Sequence, residues 1–534
     1  MKQVNYNVGI ALLYNLLLFF SFLAFSTPIF NSGDDVFCLY LLSGGFYFSP
    51  TELIHYAHLL HPVLTLTLKN LFIFNPTVNW YSWLLITAHF LACSIILYQV
   101  IYKTSSKVEG FLFYSVLFVV FECNFLLSIS FTNTSVVLTC AALLVLASTV
   151  SESSFSTRKY ITAVLLLLLA FAFRIYSIIP LVGIALPFLF FPFRQQSALR
   201  VTGSLALVVI FIILLNKTHQ SYYNKHIPNW TQEERYRQNL YKFFNYHSLY
   251  EIPSSEWETE QQLIKYALTI DTTFLNSGKL LKMHNKLVQD RNRVNPIFSG
   301  EILKWFFINN RIFFALPFFV LLAYPCKKRN ILICLGSFMC IIGGWTFLMV
   351  NWKLPDYIVV GCLWLFSTLV YFSSCDRDSY RNKNYYAIKI GCIFFLLFWG
   401  IVRICKTNVN NRFKNDLFVN TATEIIKYPK NLFLVSDNSF PLDYFSIFDT
   451  PAHFPLKNII ISGHNFTGLY VRILHQFNIN SVAAIPHAPN VLLWGKPVPA
   501  LNAYYLRTTG KKIKLSEPLK EFKYGEVRRI EVSE

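Results

Sequence analysis

The stretch from Asn31 to Asn79 decides how the chain is interpreted: NSGDDVFCLYLLSGGFYFSPTELIHYAHLLHPVLTLTLKNLFIFNPTVN. It follows a first apolar run and opens with two adjacent acids, Asp34 and Asp35. A carboxylate inside hydrocarbon costs roughly 2.5 kcal/mol or more, so acids at this point must face water, face a cavity or serve a function. The stretch is therefore predicted to be a loop at the membrane surface.

The composition is typical of a polytopic membrane protein. Of 534 residues, 54% are hydrophobic, 17% aromatic and only 14% charged, which is too apolar for one soluble domain. A net charge of +19 would also suit a nucleic-acid binder. The Lys and Arg residues, however, cluster in short connectors between apolar runs, so nucleic-acid binding is rejected. The 11 cysteines lie in or beside apolar runs, so neither a disulfide framework nor a zinc site is predicted.

About eleven apolar runs are long enough, or nearly so, to cross roughly 30 Å of hydrocarbon. They are Val8 to Phe30, Trp80 to Tyr102, Gly110 to Ile129, Ser135 to Val150, Tyr160 to Phe173, Ile175 to Phe193, Leu199 to Leu215, Ile312 to Tyr324, Ile331 to Val350, Tyr357 to Phe372 and Ala387 to Ile404. The predicted fold is an α-helical polytopic membrane protein.

Basic residues on alternate connectors give the orientation. Five short connectors each carry Lys or Arg and are assigned to the cytoplasm by the positive-inside rule: Lys103 and Lys107; Arg158 and Lys159; Arg194 and Arg200; Lys327, Lys328 and Arg329; Arg377, Arg381 and Lys383. The N-terminus is then cytoplasmic and the C-terminus extracytoplasmic. A bacterial inner or plasma membrane is the expected location.

Two domains are expected, a transmembrane domain over 1–405 and a small extracytoplasmic α/β domain over 406–534. The first includes the outer loop 31–79 and a polar, helical, extracytoplasmic insert over 216–310. The second is predicted from short β-like runs separated by turns, near Leu432 to Ser436, Asn458 to Ile461, Val491 to Trp494 and Val527 to Val532.

Asp34 and Asp35 have two interpretations, which remain open together. Acids before the apolar run Val36 to Leu42 can accept the unpaired N–H groups of a helix start. At the outer membrane surface, a carboxylate can instead take a proton from an acceptor hydroxyl, or hold a divalent cation such as Mg²⁺ or Mn²⁺ against a phosphate. No other cofactor is expected.

The loop resembles the GT-C superfamily of membrane glycosyltransferases, and is most similar to the aminoarabinose and protein mannosyl transferase branch. In that branch an acidic motif precedes a "PPL" segment, whose place His61-Pro62-Val63-Leu64 takes here with one proline missing. The turn Phe131-Thr132-Asn133-Thr134-Ser135 and Arg174 also look like features of multispan proteins of this type.

The resemblance implies a polyprenyl-phosphate sugar donor held among the spans. It implies that Asp34 or Asp35 is the catalytic base, or a metal ligand, acting on a glycan, lipid or protein acceptor. An anionic phosphate at the outer rim needs cations, and the candidates there are Arg174, Lys353 and Arg311. Snorkelling at a span end would equally explain Arg174, and interfacial anchoring would explain Lys353.

Histidines in the loop are further candidates for binding the substrate, namely His58 and His61. His55 and His58 are three residues apart and share a helical face, which favours an interfacial polar face over a metal site. Two rival functions remain, a polysaccharide or lipid transporter or flippase, and a non-catalytic partner in an envelope assembly. A transporter should carry charges near the bilayer midplane, whereas the charges here concentrate at the rims.

The orientation can be tested by cysteine labelling in intact cells. A cysteine at Ser516 should react with a membrane-impermeant thiol reagent, while one at Ser106 should react only after the cells are opened. The parent chain with its native cysteines is the background control. Labelling of Ser106 together with protection of Ser516 would reverse the assigned orientation.

Overall fold

The computed structural model describes the chain except residues 1, 47–48, 55–59, 105, 151–155, 175–176, 191–194, 246–255, 267, 270, 295–311, 322–327, 352–353, 375–382, 437–438, 462–466, 497 and 534. Its helices are α1 Lys2–Phe25, α2 Gly33–Ser43, α3 Pro62–Phe74, α4 Trp80–Lys103, α5 Lys107–Leu117, α6 Cys123–Leu127, α7 Phe131–Val150, α8 Thr157–Phe173, α9 Ile178–Phe190, α10 Gln195–His226, α11 Trp230–Asn245, α12 Glu258–Lys265, α13 Ser277–Val294, α14 Ile312–Leu321, α15 Lys328–Asn351, α16 Asp356–Ser374, α17 Lys383–Ile426, α18 Thr467–Gln476 and α19 Pro499–Thr509. A π-helical turn, Phe118–Glu122, joins α5 to α6.

Strands are few. β1 Ile29–Phe30 and β2 Ser128–Ile129 form a two-residue parallel pair. Five more strands form one sheet in the order β4-β3-β5-β7-β6, namely β3 Leu432–Val435, β4 Ile459–Ile461, β5 Val491–Trp494, β6 Lys512–Leu515 and β7 Val527–Ser533. Four of these lie at the predicted β-like runs, whereas β6 was not predicted.

Seven helices in the described part of the chain are long and apolar enough to cross a membrane. They are Tyr6–Phe25, Trp80–Lys103, Lys107–Leu127, Phe131–Thr149, Asn330–Met349, Asp356–Ser373 and Lys389–Ile426. The chain is thus a helical membrane protein, as predicted, but the expected count of eleven spans is not confirmed. One reason is length: α9 has 13 residues, about 20 Å of helix, and the neighbouring residues 191–194 lie outside the described part.

The chain divides into two compact units, and each draws on three separate stretches. The membrane unit comprises Met1–Asn31, Tyr81–His219 and Phe298–Asn411, while the polar unit comprises Ser32–Trp80, Gln220–Ile297 and Arg412–Glu534. The sequence analysis placed one boundary at residue 405. The division of the structure instead lies inside the unbroken helix α17, and it groups the first loop and the insert with the tail.

The membrane unit is built around α7, whose apolar stretch is 94% buried, against 22% for α1 and 17% for α17. Helices α8, α9 and α16 pack on α7. The contact with α16 is close because a Cβ at Gly361 would overlap Cγ1 of Val136. Further along α16, the rings of Phe113 and Tyr371 stack at 3.8 Å, and the hydroxyls of Tyr371 and Thr104 are 2.9 Å apart. The more exposed helices present apolar side chains that suit lipid.

In the polar unit, the first loop is hydrogen-bonded to the tail. The amide of Asn79, which is 5% exposed, donates to the carbonyl oxygens of Asp449 at 2.7 Å and Ile447 at 3.2 Å. The hydroxyl of Tyr40 donates to the carbonyl of Phe454 at 2.8 Å. Because buried amides and phenols need such partners, the loop and the tail are parts of one folded unit.

The insert is joined to the same unit. The backbone N–H of Ile54 donates to the hydroxyl of Tyr223 at 3.1 Å, and the hydroxyl of Tyr504 donates to Asp271 at 2.6 Å. Burial alone would raise the pKa of Asp271, but hydrogen bonds from Thr273, Tyr504 and the backbone outweigh it and lower that pKa. The first loop, the insert and the tail therefore belong to one compact unit.

Packing of the first loop on the tail can be tested at Gly45. A Cβ there would lie 2.5 Å from Cβ of Pro451 and 2.9 Å from the ring of Tyr40. Gly45→Ala should therefore destabilise the polar unit by about 1–3 kcal/mol, seen as a lower thermal midpoint of the purified protein.

The matched control is Gly278→Ala in α13 of the same unit, where the new Cβ would meet only Asn276 at an ordinary 3.5 Å. Alanine in a helix should there be neutral or slightly stabilising. Equal midpoints for the two variants would contradict the close packing at Gly45.

Candidate functional site

Asp34 and Asp35 lie in the first turn of α2, and the residue at the N-cap is Ser32. The hydroxyl of Ser32 donates to Oδ2 of Asp35 at 3.0 Å, and the backbone N–H of Asp35 donates to the carbonyl of Ser32 at 3.2 Å. Acids in a first turn are stabilised by the positive end of the helix dipole. The helix start therefore accounts for both acids being tolerated, although neither is the N-cap residue.

The two acids differ in exposure. Asp35 is fully buried, with 0% of its surface exposed, while Asp34 is partly exposed. A general base must come within hydrogen-bonding reach of the hydroxyl that it deprotonates. Of the pair, Asp34 has the exposure for that role, and Asp35 is the acid tied to the helix start.

Cys38, one turn further along α2, is buried beside both acids. Burial raises the pKa of its thiol well above the ordinary value, and the charges of Asp35 and Asp34 raise it further. Since the nucleophilic form of cysteine is the thiolate, Cys38 is an inert core residue here.

His61 has a local structural role. It is 6% exposed and is the N-cap residue of α3, where its Nδ1 accepts the backbone N–H of Val63 at 3.3 Å, and Pro62 occupies the first helical position. Its predicted contact with the substrate stays a prediction. His58, like His55, lies outside the described residues.

Glu52, in the same loop, is paired with Lys69 at 2.6 Å and accepts the hydroxyl of Tyr222 at 3.1 Å. Burial would raise its pKa, but these hydrogen bonds lower it on balance. Glu52 is therefore ionised and neutralised by Lys69.

A cation at the acids would need more ligands than the described residues supply. No three His, Cys, Asp or Glu side chains converge as a metal group in the part of the chain that the structure describes. One oxygen of Asp35 also accepts the hydroxyl of Ser32. The acid pair alone is not a complete metal site.

Arg174, in the membrane unit, ends α8 and meets the turn singled out in the sequence at 131–135. Its Nη1 donates to the hydroxyl of Thr132 at 2.7 Å, and its guanidinium lies 5.4 Å from the ring of Phe131 and 5.8 Å from that of Tyr357. The carbonyl of Arg174 accepts the hydroxyls of Ser135 at 2.9 Å and Ser177 at 3.0 Å. Backbone and side chain are therefore both held in place.

The charge of Arg174 is not neutralised by the described residues. Among them, no carboxylate lies in ion-pair contact with its guanidinium, which makes one hydrogen bond, to the neutral hydroxyl of Thr132. A guanidinium has five N–H donors and matches the oxygens of phosphate or carboxylate. The arrangement is thus suited to binding an anion.

Arg403 was missed by the sequence analysis and lies in the same unit. Its guanidinium is 4.2 Å from the ring of Phe313, and its electrostatic partner is Asp356, which precedes Tyr357 at the start of α16. Its Nη1 is buried without a hydrogen-bond partner among the described atoms. Both arginines thus approach the first turn of α16. An arginine inside the apolar run Ala387 to Ile404 was the available signal.

The other predicted cations, Lys353 and Arg311, lie outside the described residues.

A second missed feature is a buried pair of ionisable groups, His89 on α4 and Glu122 at the end of the π-helical turn. Nδ1 of His89 and Oε1 of Glu122 are 2.7 Å apart, and both side chains are 0% exposed. The charges were predicted to concentrate at the rims, but Glu122 lies within the predicted span Gly110 to Ile129. An acid inside an apolar run was again the signal.

Comparison of the chain with models of protein families, with curated proteins and with solved structures found no match.

The helix start at the acids can be tested through Ser32. Ser32→Ala removes the hydroxyl that Asp35 accepts and should cost about 1 kcal/mol of unfolding free energy, measured as a lower thermal midpoint. Ser32→Thr keeps the hydroxyl and is the matched control. If both variants melt together with the parent chain, the Ser32 contact does not support the buried acid.

Proposed function

We propose that the chain is an integral membrane glycosyltransferase of the GT-C kind. It transfers a sugar from a polyprenyl-phosphate donor to an extracytoplasmic glycan, lipid or protein acceptor. The observation that supports this most is Arg174, a fixed guanidinium at the end of α8, with no carboxylate in contact among the described residues. A lipid phosphate would supply the missing anion.

In the proposed reaction, the acceptor hydroxyl loses its proton to a carboxylate while its oxygen bonds to the anomeric carbon of the sugar. The bond from that carbon to the phosphate oxygen breaks, and its electron pair stays on the phosphate. The leaving polyprenyl phosphate gains negative charge, which Arg174 and Arg403 would stabilise. Lys353 and Arg311 remain further candidates for this contact.

Asp34 is the proposed base. Its partial exposure allows an acceptor to approach, whereas Asp35 is buried against Ser32 and would position the helix start. His58 and His61 remain candidates for binding the substrate, and a divalent cation at Asp34 and Asp35 remains a candidate cofactor.

The same proposal includes about eleven spans, a cytoplasmic N-terminus and an extracytoplasmic α/β region at the C-terminus. The proposed location is a bacterial inner or plasma membrane, where the enzyme would serve envelope polysaccharide synthesis. Their support is the alternation of basic connectors and the gathering of three polar stretches into one unit.

A transporter or flippase is the second candidate, and His89 with Glu122 is the observation that favours it. Ionisable side chains buried between spans are a feature of proton-coupled carriers. Substitution of Asp34 distinguishes the two candidate functions, because a transporter has no need of a base in that loop. The non-catalytic envelope partner gains no comparable support.

Replacing each acid by its amide should have a different effect on activity at Asp34 and at Asp35. Asp34→Asn should abolish complementation of a deletion strain, because an amide cannot take the proton and a general base contributes roughly 10²- to 10⁴-fold. Asp35→Asn, the matched control, keeps an oxygen for Ser32 and should retain most activity if Asp34 acts as the base without a cation. Loss of activity in both variants would support a divalent cation shared by the two acids. Both variants should accumulate normally in the membrane. Full complementation by Asp34→Asn would remove the base from the proposal and favour the transporter.

Donor binding can be tested separately with polyprenyl phosphate itself as the probe. Arg174→Gln should weaken its binding to the purified protein by roughly 10- to 100-fold, the effect of losing a charge-assisted contact. Arg158→Gln is the matched control, since Arg158 is an exposed arginine in the first turn of the same helix. Equal affinities for the two variants would contradict a phosphate site at Arg174.

A further inference from the structure

The buried pair of His89 and Glu122 lies well inside the membrane unit. His89 is about 14 Å along the helix axis from the start of α4, and Glu122 is about 8 Å from the end of α6. Both side chains are fully buried. The pair shares no residue with the proposed sugar-transfer chemistry.

Within the described residues, no further charged group forms an ion pair with His89 or Glu122. Glu122 interacts electrostatically with Cys93 on α4, Tyr114 on α5, Cys123 on α6 and Cys140 on α7. Thiols and phenols are uncharged at neutral pH in their ordinary state. The hydroxyl of Tyr114 also donates to Oδ1 of Asn15 on α1, at 2.5 Å. These four side chains and Asn15 are therefore neutral neighbours of the pair.

Each member has one atom without a partner. Nε2 of His89 and Oε2 of Glu122 are buried, and neither has a hydrogen-bond partner among the described residues. A neutral imidazole beside a carboxylate would leave a net negative charge in this apolar site, and an imidazolium beside a carboxylic acid would leave a net positive one. Both of these protonation states are costly in free energy where no other group compensates the charge.

We propose that His89 and Glu122 form a proton-binding site inside the membrane unit, in which the pair holds one proton that makes it electrically neutral. Release breaks one N–H or O–H bond, and a base in the buffer takes the proton. The pair then changes from zero to one negative charge, and no other bond changes. The site binds its proton whichever of the two candidate functions is correct.

The local backbone supports a specialised site. Glu122 ends a five-residue π-helical turn that interrupts the α-helix. Such turns are rare and occur often at functional sites, because the extra residue turns the following side chains away from the regular helical positions. Here it presents an acid to His89 on the neighbouring span.

Infrared difference spectra of the full-length protein in lipid nanodiscs, recorded as a function of pH, test the site. Subtraction of the Glu122→Gln spectra should reveal a carboxyl signal with imidazole changes in the same pH step. His89→Gln should remove the imidazole changes and move that step by about one pH unit or more, as expected for coupled groups. Glu109→Gln is the matched control, since Glu109 pairs with Lys389 elsewhere in the membrane unit, and it should leave the step unchanged.

A second variant tests the site in case Glu122→Gln does not fold. Glu122→Asp keeps the acid but draws it back by one methylene group, beyond the 2.7 Å contact, so it should split the shared step into two. Absence of any Glu122 signal that changes with pH would overturn the proposal. So would a carboxyl signal whose pH midpoint is the same in the parent chain, in His89→Gln and in Glu122→Asp. Loss of activity in Asp34→Asn has no bearing on this result, so the two proposals fail separately.

Discussion

Hydrocarbon offers no hydrogen-bond partner to a polar group, and the rest of the structure depends on this constraint. A chain that crosses a membrane several times delivers its polar stretches far apart in sequence, here 32–80, 220–297 and 412–534. Polar groups that become buried in these stretches need hydrogen-bond partners. The stretches fold together, and Asn79, Tyr40, Tyr223 and Tyr504 supply hydrogen bonds that join them. The interleaved division of the chain follows from that need.

The sequence predicted the helices and strands that follow from a local pattern of residues. It did not predict contacts between residues that are far apart in the chain. Apolar runs identified the regions of the long helices, and short runs such as Leu432 to Ser436 identified four strands, because burial on both faces is visible in composition. β6 was missed because Lys512 and Lys514 alternate with apolar residues at the sheet edge, where only one face is buried. The joining of the first loop to the tail was also missed. It rests on single contacts, such as the Gly45 carbonyl with the backbone N–H of Leu456, which have no sequence signature.

The same limit applies to the candidate site. The sequence identified Asp34, Asp35 and Arg174 by their positions at span ends, and the structure then distinguished the two acids by exposure. It also brought Arg174 to Thr132, 42 residues away in the chain. Arg403 and Glu122 were overlooked because hydropathy averaged over a span hides one charged residue. Neighbouring helices decide whether a charged residue inside a span has a partner and which residue that partner is. The apolar sequence of the span itself does not contain this information.

Pairing separates two kinds of charge in the membrane unit. Lys389 and Glu109 compensate each other within the chain, and Glu122 is in contact with His89. Arg174 has rings and a neutral hydroxyl around its guanidinium, and Arg403 has the ring of Phe313 and the more distant charge of Asp356. Aromatic faces attract a cation but do not neutralise it. A guanidinium held in that way is more stable with an anion beside it, and the described residues bring none into contact with Arg174. That missing charge is the physical reason for seeking the ligand of this protein among phosphate-bearing lipids.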